Sequence, residues 1–218
     1  MNGMTNGPSE ANGVRGVVDV ASHFDGAFMA IDIVDSSAAL LARDEWEGFT
    51  ELRRVLADVT TSIVARGGCP LKNLGDGLEA VFKRPADALS CAVDLLSAAT
   101  KADGEGLNLY RIGLTAGCMI RYATPAGMDV FGHCVIIGAK LAKLGSAPAL
   151  MCPDQFPGAS QLGSLRGDFR ATRFEARIGG IAQRYWRLQA RDPEERELPL
   201  RLLPARSRWQ ATEARRHV

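Results

Sequence analysis

The feature that most restricts the fold is the stretch Cys69–Lys83, CPLKNLGDGLEAVFK. Two short apolar segments flank Gly75-Asp76-Gly77, the signal of a tight antiparallel hairpin. Helical periodicity brackets it on both sides. Upstream, from Ser37 to about Arg66, Leu40, Leu41, Trp46, Phe49, Leu52, Val55, Leu56, Val59 and Ile63 form one broad apolar stripe. Gly67 and Gly68 stop that helix. Downstream, Pro85 opens a second helix, ADALSCAVDLLSAAT, in the first turn, where a missing N–H is tolerated. Ahead of the first helix, AFMAIDIV (27–34) is a nearly continuous apolar run, the mark of a strand buried on both faces. After the second comes a long strand candidate, LNLYRIGLTAGCMI (107–120). The order β-α-β-β-α-β predicts a ferredoxin-like split βαβ sandwich of the α+β class. Beyond it, VIIGAKLAKLG (135–145) reads as a helix closed by Gly145, with short strands near Ala149–Cys152, Phe169–Ala176 and Arg184–Leu188. An alternating βα order of the receiver type is excluded, because the hairpin breaks the alternation.

The 218 residues suit one domain with terminal arms, and 46% apolar content is enough to bury a real core. Residues 1–24, rich in Gly, Asn and Ser, read as an arm, 25–190 as the folded domain, and 191–218 as a basic Pro/Arg-rich tail. Lys and Arg total 26 against 25 Asp and Glu, a net charge of +1, which argues against a nucleic-acid partner. No apolar run approaches the roughly 18 residues of a membrane span. The first 22 residues lack the basic and apolar regions of a secretion signal. The five cysteines form no CxxC pair, which fits a reduced, cytoplasmic setting. Cys118 and Cys134 are expected to be small buried hydrophobes, and Tyr185-Trp186 to pack the sheet. His23, His133 and His217 lie far apart and suggest no catalytic triad, His133 being a surface residue.

Two aspartates stand out. Asp32 lies inside the first apolar strand, where a carboxylate is costly unless it is paired or holds a cation. Asp76 sits at the hairpin tip, and in a split βαβ sheet the first strand and the hairpin can be neighbours. Two converging carboxylates suit hard divalent ions such as Mg²⁺ or Mn²⁺. Each aspartate alone has a plainer reading: a GDG turn is usually only a turn, and an Asp at a strand end, as Asp35 is, usually caps a helix. Asp32 and Asp35 are three apart, not the two of the phosphatases that use an aspartyl nucleophile.

Taken together, FMAIDIVDSS, LKNLGDGLEAVF, RIGLTAG, MDVFGHCVIIGAKL, APALMCPDQ and GGIAQRYWRL occur in the order of the class III nucleotide cyclases, which the sequence resembles over roughly 26–190. The resemblance implies conversion of a nucleoside triphosphate to a cyclic nucleotide and pyrophosphate. It implies two divalent cations, Mn²⁺ or Mg²⁺, held by Asp32, Ile33 and Asp76. Ile33, Ser36, Ser37, Lys72, Asp129 and Arg184 are implied as substrate-binding positions, with Lys72 and Asp129 as the base-reading pair. It further implies a head-to-tail homodimer with shared active sites, one chain supplying the metal aspartates and the other the base-reading and transition-state residues.

The chain departs from that pattern at the transition-state positions. The family's Asn maps to Ile136, and its Arg to Lys140, the catalytic candidate here. Lysine keeps the charge but not the two-pronged geometry. The lysine that contacts the outer phosphates falls near Gly179, with Arg184 as a stand-in. Loss of one positioned donor costs about 10²–10³ in rate. One donor and one acceptor at Lys72 and Asp129 suit adenine, uracil and cytosine alike, so hydrogen-bond type does not choose the base. The departures, with the lack of any attached sensor or membrane segment, resemble the short pyrimidine cyclases of bacterial anti-phage signalling, which make cyclic UMP or cyclic CMP. An ordinary adenylate cyclase making cyclic AMP, and a degenerate nucleotide-binding pseudo-cyclase, are the alternatives.

Overall fold

The computed structural model describes residues 21–101, 107, 109–125, 127–144, 148–165, 168–178 and 180–190. The expected tail 191–218, most of the expected N-terminal arm, Gly145 and Gly179 lie outside them. The apolar run becomes β1 (Ser22–Ile33), flanked by β3 (Gly77–Phe82) and β4 (Tyr110–Thr124), both antiparallel to it. Outside β3 lies β2 (Gly68–Asn73), its hairpin partner. Outside β4 lie β6 (Ala149–Pro153), then β8 (Ile181–Ala190) and β7 (Phe169–Ile178), while β5 (Gly127–Phe131) folds back on the far end of β4. The sheet order β2-β3-β1-β4-β6-β8-β7 contains the expected split βαβ arrangement, with β1 between β3 and β4.

Alternation along β1 assigns the two faces. Ala27, Met29, Ile31 and Ile33 join the core built with α2 (Glu45–Ala65) and α3 (Pro85–Lys101). Phe28 and Ala30 join a second core that includes Ala142 of α4 (His133–Ala142). Asp32 continues the Phe28–Ala30 series and therefore belongs to the α4 face.

The helix expected over 37–66 is two helices, α1 (Ser36–Leu41) and α2. Asp44 makes the break: its backbone is extended, and its carboxylate accepts from the Trp46 amide at 2.9 Å, restarting the helix with Glu45 and Glu47 in the first turn. The broad stripe narrows accordingly. Val55, Leu56, Val59 and Ile63 are buried, but Leu41, Trp46 and Phe49 are 87%, 73% and 52% exposed. Gly67, with φ of 73°, ends α2 as expected, and Pro85 begins α3. Hairpin β4–β5 was not expected from the sequence. A last short helix, α5 (Ala159–Leu162), lies between β6 and β7. Among the described residues, no helix is long and apolar enough to cross a membrane.

Helix α4 rests on the sheet through glycine. A Cβ at Gly113 of β4 would meet the Gly138 carbonyl oxygen at 2.1 Å and the Ala142 nitrogen at 2.7 Å, and one at Gly138 would meet Phe28 and Thr115. Both obstacles at Gly113 are backbone atoms, which cannot rotate away. Gly113→Ala is expected to destabilise the protein by ~3 kcal/mol or more, the upper range for overpacking, read as a lower urea midpoint at an unchanged slope. Gly67→Ala, where an added Cβ meets nothing within 4 Å, carries only the left-handed backbone cost of about 1–2 kcal/mol.

Candidate active site

Sheet register brings the two metal-candidate aspartates together. Asp32, next to last in β1, pairs with Gly77, the residue after Asp76. A Cβ on Gly77 would meet the Ile31 carbonyl oxygen at 2.8 Å, so the closeness of hairpin and strand depends on glycine there. The Asp76 carboxylate accepts a hydrogen bond from Ser36 Oγ, and Ser36 is itself buried at the start of α1. Asp35, the expected helix cap, stands at the cap position but makes no side-chain cap bond; it takes the left-handed conformation at φ 51°. Ile33 has its side chain sealed in the core, so only its backbone can face a ligand. Ser37 is exposed beside Ser36.

Arg111, first noted only as part of RIGLTAG, has a direct role. It is the cross-strand partner of Asp32 on β4, and its Nε donates to Asp32 Oδ2 at 2.9 Å, with Nη2 bonding the same oxygen. Both side chains are mostly buried, so removing one member would leave the other's charge stranded.

The two candidates for base reading are also joined. Lys72 of β2 donates to both Asp129 carboxylate oxygens, at 3.0 and 2.9 Å, across 57 residues of sequence. The β4–β5 hairpin sets Asp129 opposite Tyr122, whose hydroxyl donates to Asp129 Oδ2 at 3.4 Å, while the Val130 amide donates to Oδ1 at 2.8 Å. A third acid joins them: Glu79, the cross-strand partner of Lys72, is 5% exposed, with Oε2 3.3 Å from Lys72 Nζ. The sequence signal for Glu79 was present, a carboxylate inside the apolar segment LEAVF.

The remaining candidates lie on other elements. Lys140 and Ile136 are exposed one turn from each other on α4. Arg184 is exposed on β8, opposite Glu175 of β7, with β4 and β6 between it and β1. His133 is exposed as expected, and Tyr185 is buried in the sheet. The thiol expectation is corrected: Cys118 is exposed, its Sγ 3.4 Å from His23 Nδ1, and Cys134 is half-buried, because both lie where β4 meets the start of α4 rather than in the core. A cleft of about 630 Å³ lies between α3 and α5, lined by residues such as Arg84, Leu89 and Gln161, and contains none of the candidates.

Electrostatics of the Lys72 cluster are coherent. The hydrogen bond to Asp129 raises the Lys72 pKa above its ordinary value, against the effect of burial, with Glu79 adding to the rise. Burial pushes Asp129 up, but the bonds from Lys72, the Val130 amide and Tyr122 outweigh it and hold the carboxyl below its ordinary value. The Asp129 contribution to stability is therefore full above the unfolded value of 3.8 and lost as pH falls through the lower folded pKa. The Lys72 contribution is full below 10.5 and lost as pH rises through its raised pKa. The stability gap between the protein and Lys72→Met is expected to be widest between about pH 5 and pH 10 and to narrow on both sides, as urea titrations across pH would show.

No protein-family model and no curated protein sequence matches the chain. Solved structures do. The chain is similar to an adenylate/guanylate cyclase/hydrolase from Silicibacter pomeroyi at 23% identity, TM-score 0.62, over 78% of this chain and 99% of that one. It is similar to the adenylyl cyclase CyaB from P. aeruginosa at 13% identity, TM-score 0.65, over 79% and 97%. A non-canonical dimeric guanylyl cyclase domain of a RhoGC fusion protein from the aquatic fungus Blastocladiella emersonii gives 14% identity, TM-score 0.64, over 78% and 99%. Sheet order, hairpin position and these likenesses agree: the chain has the fold of the class III adenylate and guanylate cyclase catalytic domains.

Proposed function

We propose that the chain is a nucleotide cyclase that converts a ribonucleoside triphosphate to a 3′,5′-cyclic nucleotide and pyrophosphate. The observation that carries this reading is the β1–β3 register, which brings Asp32 next to the hairpin turn that holds Asp76, in a chain that also assembles a Lys72–Asp129 pair. We further propose that the base is a pyrimidine, that the product is a second messenger in anti-phage defence, and that the active unit is a head-to-tail homodimer. The pyrimidine reading is supported by an apolar Ile136 on the exposed side of α4, where the resemblance calls for a hydrogen-bonding residue. The dimer reading is supported by the placement of the candidates. Lys140 on α4 and Arg184 on β8 lie on elements other than those that carry Asp32 and Asp76, and in the head-to-tail reading a second copy brings them to one substrate. The similar guanylyl cyclase domain from Blastocladiella emersonii is described as a non-canonical dimer, which supports association of two copies and not the head-to-tail arrangement itself.

The donor set fits divalent cations: two carboxylates in neighbouring register, both on incompletely buried residues, with hard oxygen donors only. Asp32 and Asp76 would hold them, with the Ile33 backbone beside Asp32. Bound cations of this kind activate the ribose 3′-oxygen and offset charge on the phosphates. The chain's own residues do the rest. In the reaction a bond forms between the 3′-oxygen and the α-phosphorus, and the α–β bridging bond breaks. Arg111 holds Asp32 in place before substrate arrives, and Ser36 holds Asp76 against α1. Lys72 and Asp129 read the base edge as one donor and one acceptor. Lys140, one turn beyond Ile136, offers positive charge to the transferring phosphate, and Arg184 offers it to the leaving pyrophosphate. An adenylate cyclase would use the same parts; Ile136 is the observation against it.

Purified protein incubated with each of the four nucleoside triphosphates and Mn²⁺, with products resolved by chromatography, is expected to yield cyclic CMP or cyclic UMP. Asp32→Ala is expected to reduce turnover at least ~10²-fold. Cyclic AMP as sole product would favour the adenylate alternative. No product from any nucleotide would overturn the cyclase reading. In the same assay Ile136→Asn is expected to raise turnover of ATP.

A further inference from the structure

Glu79 has no part in the scheme above, and its position is unusual. It lies in β3, on the face of the sheet shared with Val81 and Ala30, and almost no solvent reaches it. A carboxylate so placed is retained only at a cost, unless its charge is used. Its Oε2 approaches Lys72 Nζ to 3.3 Å, a charge contact and not a well-aligned hydrogen bond at that oxygen. Lys72 therefore stands between two carboxylates, one beneath it and one, Asp129, beside it on β5. Asp129 is fully engaged in turn, by Lys72, Tyr122 and the Val130 amide.

We propose that Glu79 is a positioning and specificity residue for the base pocket, acting through Lys72 to favour a base that carries an exocyclic amino group over uracil. The inference rests on the cyclase reading only in taking the Lys72–Asp129 pair as the base-reading element. One ammonium and two carboxylates leave the cluster with net negative charge. With Asp129 alone, uracil and cytosine are equivalent partners. Uracil accepts at O4 and donates at N3–H; cytosine accepts at N3 and donates from its 4-amino group. The second carboxylate removes the equivalence. It anchors the ammonium from below, so that Asp129 can turn its oxygens to the base without losing Lys72. It also makes the cluster favour the base edge richer in N–H groups. Uracil has one N–H flanked by two carbonyl oxygens, of which Lys72 can meet one while the other faces the carboxylates. Cytosine meets it with an amino group, as do adenine and guanine. Of the two pyrimidines, the structure therefore assigns cytosine.

The test is equilibrium binding, by isothermal titration calorimetry, of CTP, UTP, ATP and GTP to the full chain and to Glu79→Gln, with circular dichroism as the folding check. The unchanged protein is expected to bind CTP about tenfold more tightly than UTP, and Glu79→Gln to bring the two within about twofold. Glu79→Asp, which withdraws the carboxylate by one methylene, is expected to fall between them and serves if the amide variant does not fold. Preference for UTP in the unchanged protein, or an unchanged CTP preference in both variants, would overturn the proposal. Product analysis on the same samples separates this result from the cyclase reading. Preferential CTP binding without any cyclic product would remove the cyclase and leave the selectivity, whereas cyclic UMP formed from preferentially bound UTP would do the reverse.

Discussion

The placement of the candidate site's two aspartates depends on the antiparallel setting of β1 between β3 and β4. That register faces Asp32 with Gly77 on one side and Arg111 on the other. A one-residue slip in such a sheet turns each side chain to the opposite face. It would drive Asp32 into the core of α2 and α3 and turn Ile33 outward. The long apolar stretch of β1 prevents the slip, because Met29, Ile31 and Ile33 are completely or nearly buried on one face and Phe28 and Ala30 on the other. Hydrophobic burial holds the strand, and the strand holds the carboxylate.

Polar groups around the site follow a common rule: each buried or half-buried charge has a partner on a different strand or helix. Asp32 has Arg111, Asp76 has Ser36, and Lys72 has Asp129 and Glu79. Such pairs add little net stability, since desolvation offsets much of the attraction. Their effect is geometric, because a lone charge at any of these places would have to move or lose its proton. The rims of β1, β2, β3, β4 and β5 are tied together by polar contacts where the apolar core ends.

Much of this was legible in the sequence, and what was not has physical reasons. The strand 27–34, the hairpin about Asp76 and the helix begun by Pro85 are local signals, carried by glycine, proline and apolar periodicity, and they agree with the structure. The helix over 37–66 failed because apolar residues at helical spacing do not reveal an interruption. Asp44 capped a new start with its own side chain, and Trp46 and Phe49 went to the surface, where their rings lie 5.6 Å apart. Hairpin β4–β5 was missed although Thr124-Pro125-Ala126-Gly127 sets proline and glycine at favoured turn positions, because the short β5 that follows has no apolar run to mark it as a strand. The cross-strand roles of Arg111 and Glu79 required knowing the register, which no local pattern supplies. The joining of Lys72 to Asp129 likewise depends on β5 folding back along β4.

The glycine contact between α4 and β4 has a mechanical consequence. Interlocked side chains normally fix a helix on a sheet like teeth in a rack, and here Gly113 and Gly138 leave the rack smooth at its centre. Backbone already touches backbone there, and Thr115 Oγ1, donating to the Cys134 carbonyl at 2.7 Å, pins the start of the helix along the strand as well. Lys140, two residues beyond Gly138, therefore has its height above β4 set by backbone contact and not by the length of any side chain beneath it.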